Sequence, residues 1–161
     1  MTDVSPPELD LDPAQHRSIA VACFNHAWAL MGIRDRSPEQ DRLMLEVAEA
    51  SRLHWRFAGG PLEAARGSWL ISRVLVLLGR GGEALHEAEH SLDLIRTHDL
   101  GPFDEAFGHE AVARARVLLG DDAAASSARA AGESIAVQVV ADDDREWVRR
   151  NLASIAMEPP A

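Results

Sequence analysis

Apolar positions recur at spacings of three and four along most of the chain, and prolines and glycines interrupt the stripe they form. That period belongs to amphipathic helices, and no alternating stretch competes as a strand. Seven helices are predicted. The first covers about residues 13–31, with Asp12 as N-cap and Gly32 as its stop. The second opens at Ser37-Pro38-Glu39-Gln40, where the serine can accept a first-turn amide and Gln40 can reach back. It ends near Phe57, before Gly59-Gly60-Pro61. The third is expected over 61–79, the fourth over about 83–97, and the fifth over about 103–119, closed by Gly120. A sixth follows Asp121-Asp122, whose carboxylates complement the positive end of a helix dipole, and runs to about residue 140. The last, over 142–155, carries Val148, Leu152 and Ile155 on one side and arginines on the other. That pattern suits a lid over the end of a stack.

One phrase occurs twice. Arg73-Val-Leu-Val-Leu-Leu-Gly79 returns as Arg114-Ala-Arg-Val-Leu-Leu-Gly120, its arginine and glycine both displaced by 41 positions. Helices three with four and five with six are therefore two copies of one hairpin, and helices one with two form a more divergent third. Equivalent places carry small residues, Ser72, Ala84 and Ser91 in one copy and Ala113, Ala125 and Gly132 in the other. Small side chains at such points let helix backbones approach closely. Together with the Leu-Gly turn leading into Glu83-Ala84, these features resemble the tetratricopeptide repeat over roughly residues 61–140. The resemblance implies an all-α, right-handed stack of three antiparallel helical hairpins with a C-terminal capping helix. Longer phrases, Asn25-His-Ala-Trp28, Ala50-Ser-Arg-Leu-His-Trp55, Arg66-Gly-Ser-Trp-Leu-Ile-Ser-Arg73 and Phe103-Asp-Glu-Ala-Phe107, are similar to a group of uncharacterised bacterial helical-repeat proteins. That similarity implies a coherent pattern and no particular reaction.

A chain of 161 residues with 47% hydrophobic content can bury one sizeable core. The expected organisation is a flexible acidic tail over 1–11, one helical-repeat domain over 12–157 and a flexible end over 158–161. A net charge of −10 disfavours nucleic acid and acidic membrane surfaces, which need clustered positive charge. The opening stretch lacks the basic and apolar regions of a secretion signal, and no apolar run is long enough to span a bilayer, so a cytoplasmic location is expected. The single cysteine, Cys23, lies in the apolar run Ile19-Ala-Val-Ala-Cys-Phe24 and reads as a packed thiol. Lysine and tyrosine are both absent, which removes Schiff-base chemistry, tyrosine acids and any Walker-type phosphate loop.

His86-Glu87-Ala88-Glu89-His90 fits the His-Glu-x-x-His pattern of zinc proteases. Such a site would need both histidines as ligands, Glu87 as base and a third ligand such as Glu110. The stripe Ala84, Leu85, Ala88, Ser91, Leu92 and Ile95 instead turns both histidines toward solvent. The serines lack a glycine-flanked elbow, and Asp142-Asp143-Asp144 lacks the alternating ligands and glycine turn of a calcium loop. No catalytic residue, metal or cofactor is expected.

A different constellation carries the functional reading. Arg66, Trp69 and Arg73 lie along one line of the third helix, and Phe107, Glu110 and Arg114 occupy matching places 41 residues later. In a hairpin stack the first helices line the concave surface, so these residues converge on a groove. Arginines there can grip a carboxylate or phosphate while Trp69 and Phe107 supply flat apolar contact. The alternative is that Arg73 or Arg114 pairs internally with Glu110. His54, with Ser51 and Trp55, faces the next hairpin and extends the groove, and Asn25 and His26 beside Trp28 are read as polar contacts between helices. The expected function is a non-catalytic binding or scaffold module for a protein, peptide or small anion. The alternatives are self-assembly into a homodimer through an exposed end face and, behind it, a zinc hydrolase using the motif over 86–90.

Overall fold

The computed structural model describes residues 9–156, so residues 1–8 of the tail expected over 1–11, and the whole end expected over 158–161, lie outside the described residues. Its helices are α1 (Pro13–Met31), α2 (Pro38–Ala58), α3 (Pro61–Leu77), α4 (Gly81–Thr97), α5 (Pro102–Leu118), α6 (Asp122–Ala136) and α7 (Asp142–Ala153). The described part is all-α, and no helix in it is long and apolar enough to cross a membrane.

The start signals act as their chemistry dictates. Asp12 with Gln15, and Ser37 with Gln40, close reciprocal capping boxes in which each side chain satisfies the other residue's amide. Proline stands at the start of α1, α2, α3 and α5, where its missing N–H costs no helical bond. The two repeat copies also end alike. Gly79 and Gly120 take φ of 72° and 74°, a left-handed conformation that spares a residue without Cβ. The amide of Arg80 then donates to the Leu75 carbonyl and that of Asp121 to the Arg116 carbonyl, the same closing bond 41 residues apart. Four boundaries differ from expectation by two residues or more, among them the ends of α3 at Leu77 and of α7 at Ala153. α4 begins at Gly81, because the Gly79 turn leads directly into it. α6 ends at Ala136, and the turn after it carries Val139 into the core while Val140 stays 92% exposed.

Consecutive helices pack as antiparallel hairpins, α1 on α2, α3 on α4 and α5 on α6, with α7 against α5 and α6. α1 also approaches α3 and α3 approaches α5, and an ion pair between Arg52 and Glu87 joins α2 to α4. Close packing rests on the small residues: Ser72, Ala84, Ser91, Ala113, Ala125 and Gly132 are all buried. Ser72 Oγ donates to the Ala84 carbonyl and Ser91 Oγ to the Ala65 carbonyl, each at 2.8 Å, tying α3 to α4. Two apolar clusters result, one centred on Met44, Leu70 and Val74 and one on Phe107, Val148 and Leu152. Trp69 packs against both.

Candidate binding groove

A cavity of about 370 Å³ lies among residues of α1, α3, α4, α5 and α7. Its walls are Phe24 and Trp28 from α1, Ala65 and Trp69 from α3, Phe103 and Phe107 from α5, Ser91 and Ile95 from α4, and Trp147 from α7. Asn25, Arg66 and Asp104 are its remaining polar residues. The aromatic rings form a continuous chain. Trp28 stacks on Trp69 at 5.8 Å, Trp69 meets the edge of Phe107 at 5.6 Å, and Phe107 that of Phe103 at 5.1 Å. Offset and edge contacts of this kind fix ring orientation beyond what burial alone supplies. Trp147 lines the same cavity without touching any of those rings.

A second cavity, of about 190 Å³, opens between α1 and α3 and shares Phe24, Asn25 and Arg66 with the first. Trp55 and Glu63 line its far part, with Arg17 placed 5.2 Å over the Trp55 ring. The Gly60 amide hydrogen bond holds the Glu63 carboxyl below its ordinary pKa.

The expected arginines divide by environment. Arg66 is about half exposed on the rim, its Nε and Nη2 donating to the two Asp104 oxygens at 2.7 and 3.0 Å. That bidentate bond raises its pKa further. Arg73 and Arg114 instead converge on Glu110, which is fully buried. Arg73 donates to Glu110 Oε1 at 2.7 Å, Arg114 Nε donates to the same oxygen, and Trp69 Nε1 donates to Oε2 at 3.2 Å. Arg114 also reaches the Asn151 carbonyl and Ser154 Oγ, linking α5 to the end of α7. Burial pulls the Arg73 pKa down and Arg114 adds repulsion, with Glu110 opposing both. This knot orients Trp69 from behind, and neither Arg73 nor Arg114 lines the two cavities.

His54 sits elsewhere. Its Nδ1 lies 2.8 Å from that of His16 on α1, whose ring stacks on Phe57, and neither cavity includes it. Ser51 likewise donates to the Ala20 carbonyl of α1, so these two residues face their own hairpin partner rather than the next hairpin. Trp55 alone of the three reaches toward α3. His26 is exposed, while Asn25 is a wall of both cavities. His86 and His90 are exposed, and Glu87 ion-pairs with Arg52 at 2.8 Å. Among the described residues, no three His, Cys, Asp or Glu side chains are grouped to hold a metal ion. Cys23 is half-buried, and burial raises its thiol pKa.

Phe24, Phe103, Asp104 and Trp147 entered without a sequence argument of their own. For Trp28 a signal existed: it precedes Trp69 by 41 positions, as Asn25 precedes Arg66, so the repeat register extends into α1. Trp147 lies on α7, outside any repeat copy, and only packing brings it here. No protein-family model matches the chain, and no curated protein and no solved structure is significantly similar to it.

Proposed function

We propose that the chain is a binding module that acts by recognition without turnover, built as a tetratricopeptide-like right-handed stack of hairpins with its ligand on the concave side. The observation that carries this reading is the aromatic groove of about 370 Å³, with Arg66 and Asn25 at its rim. Binding sites are typically concave, mostly apolar and set with a few polar groups, and this groove has that composition. Its walls are preorganised, because the Glu110 knot holds Trp69 and the Trp69 ring orients Phe107 and Trp28. Less ordering entropy is then lost when a ligand arrives. In this reading Arg66, Trp69 and Phe107 meet the ligand, whereas Arg73, Glu110 and Arg114 position Trp69 behind them.

Native mass spectrometry of untagged protein reads subunit number and any passenger in one spectrum. The expected spectrum shows a passenger that Trp147→Ala loses and that His90→Ala, outside the cavity lining, retains. A protein carrying nothing, or a passenger indifferent to Trp147→Ala, would overturn the reading.

A further inference from the structure

Resting on that reading of the groove, we infer that its ligand is a small neutral molecule with an apolar body and one amide-type edge, a donor beside an acceptor, that pairs with Asn25. Neutrality follows from the charges around the cavity. Among the described residues, Arg66 is the one guanidinium in its wall, and Asp104 in the same wall holds it through both oxygens, at 2.7 and 3.0 Å. The adjoining smaller cavity adds Glu63, and Arg17 stands over the Trp55 ring there. The Gly60 amide first, then Arg17 and Arg66, hold the Glu63 carboxyl below its ordinary pKa, so it stays charged. Two guanidiniums and two carboxylates therefore interlock, and their charges cancel.

An anion entering the cavity finds Arg66 already held and meets Asp104 and Glu63. A cation finds both carboxylates matched, and the ring faces that would attract it already carry guanidiniums, Arg73 over Trp69 and Arg150 over Trp147. The Glu110 knot keeps one positive charge in excess, but its members line neither cavity. Either ion would leave water for a largely aromatic wall without gaining a partner of its own, a cost that a neutral body does not incur. The polar end of the ligand follows from Asn25. This side chain lines both cavities, is exposed, and makes no hydrogen bond among the described residues. The other polar groups of the larger cavity are committed, Arg66 to Asp104 and Ser91 Oγ to the Ala65 carbonyl. A carboxamide carries N–H donors beside a carbonyl acceptor, and the group that meets both at once is another amide-type edge. A volume of about 370 Å³ suits a small molecule.

The test is an NMR titration of nitrogen-labelled protein with four probes built on one ring system: naphthylacetamide, methylnaphthalene, naphthylacetate and naphthylmethylammonium. Naphthylacetamide should shift the indole signals of Trp28, Trp69 and Trp147 and bind at least about tenfold more tightly than either ion. Asn25→Ala should lower its affinity to that of methylnaphthalene while leaving methylnaphthalene binding unchanged, a split that separates a lost hydrogen bond from a damaged groove. Asp104→Asn releases the Arg66 guanidinium and should raise naphthylacetate binding at least to that of the amide, an exchange of preference that lost packing would not produce. Equal or tighter binding of either ion to the unaltered protein, amide binding indifferent to Asn25→Ala, or acetate binding indifferent to Asp104→Asn would overturn the inference and leave the groove reading standing. Silence of the whole panel, or shifts confined to other residues, would also overturn it, with the groove itself judged separately by the passenger that Trp147→Ala loses.

Discussion

At the scale of single residues, the decisive group is Glu110. A carboxylate with no exposure is sustainable because two guanidiniums and an indole N–H converge on it. Glu110→Ala should therefore destabilise the fold by about 3–5 kcal/mol, read by urea unfolding, since two largely buried arginines lose their shared partner. The repeat register had placed Arg73, Glu110 and Arg114 on one face, but both internal pairing and a ligand fitted that face. Distances settle which occurs, because pairing depends on tenths of an ångström that no spacing encodes. His109 supplies a pH dependence. Arg96 Nη2 lies 3.1 Å from its Nε2, and since a guanidinium only donates, the ring accepts and must be neutral. Burial first and Arg96 second hold its pKa below the ordinary histidine value, and burial with His16 does the same for His54. The unfolded chain then binds more protons, so stability is full above the ordinary value and falls as pH drops from there through the lowered folded values. The urea midpoint should decrease between about pH 7.5 and 5.5, and His109→Gln, which keeps an acceptor, should flatten part of the slope.

At the scale of elements, the caps and turns were legible because their chemistry is local. Ser37-Pro-Glu-Gln40 needs nothing beyond itself to close a capping box, and Gly79 and Gly120 end helices because the left-handed turn excludes a Cβ. Nothing crowds either glycine, so the whole effect of Gly79→Ala or Gly120→Ala is backbone strain. Each should cost about 1–2 kcal/mol, measured by thermal or urea unfolding, and the two should be nearly equal if the repeat copies are equivalent. The end of α6 was less legible. Helical periodicity continues through Val137 to Val140, and the chain turns at Ala136 because Val139 gains burial against its neighbours. For the same reason the direction of Ser51 and His54 was misjudged: a helix buried on two sides has two stripes, and sequence does not label which neighbour each one meets.

At the scale of the whole molecule, α7 does two jobs with opposite faces. Val148 and Leu152 are buried against α5 and α6, while Trp147 turns toward the groove. Leu152→Ala should cost about 2–5 kcal/mol by urea unfolding and should also loosen Trp147, seen as broadening of its indole signal. The sequence by itself determined the helix count, most boundaries, the 41-residue recurrence and the small residues where helices meet, because each depends on neighbours within a few turns or on a repeat copying itself. It also grouped Arg66, Trp69 and Phe107, which line one cavity. Only the tertiary structure decided that Arg73 and Arg114 close on Glu110, that His54 turns to His16, and that Trp147 completes the groove from another part of the chain. These outcomes compare the solvation of a charge or a ring with the particular groups that packing brings against it. Those groups are distant in sequence, so their energies exist only once the helices have met.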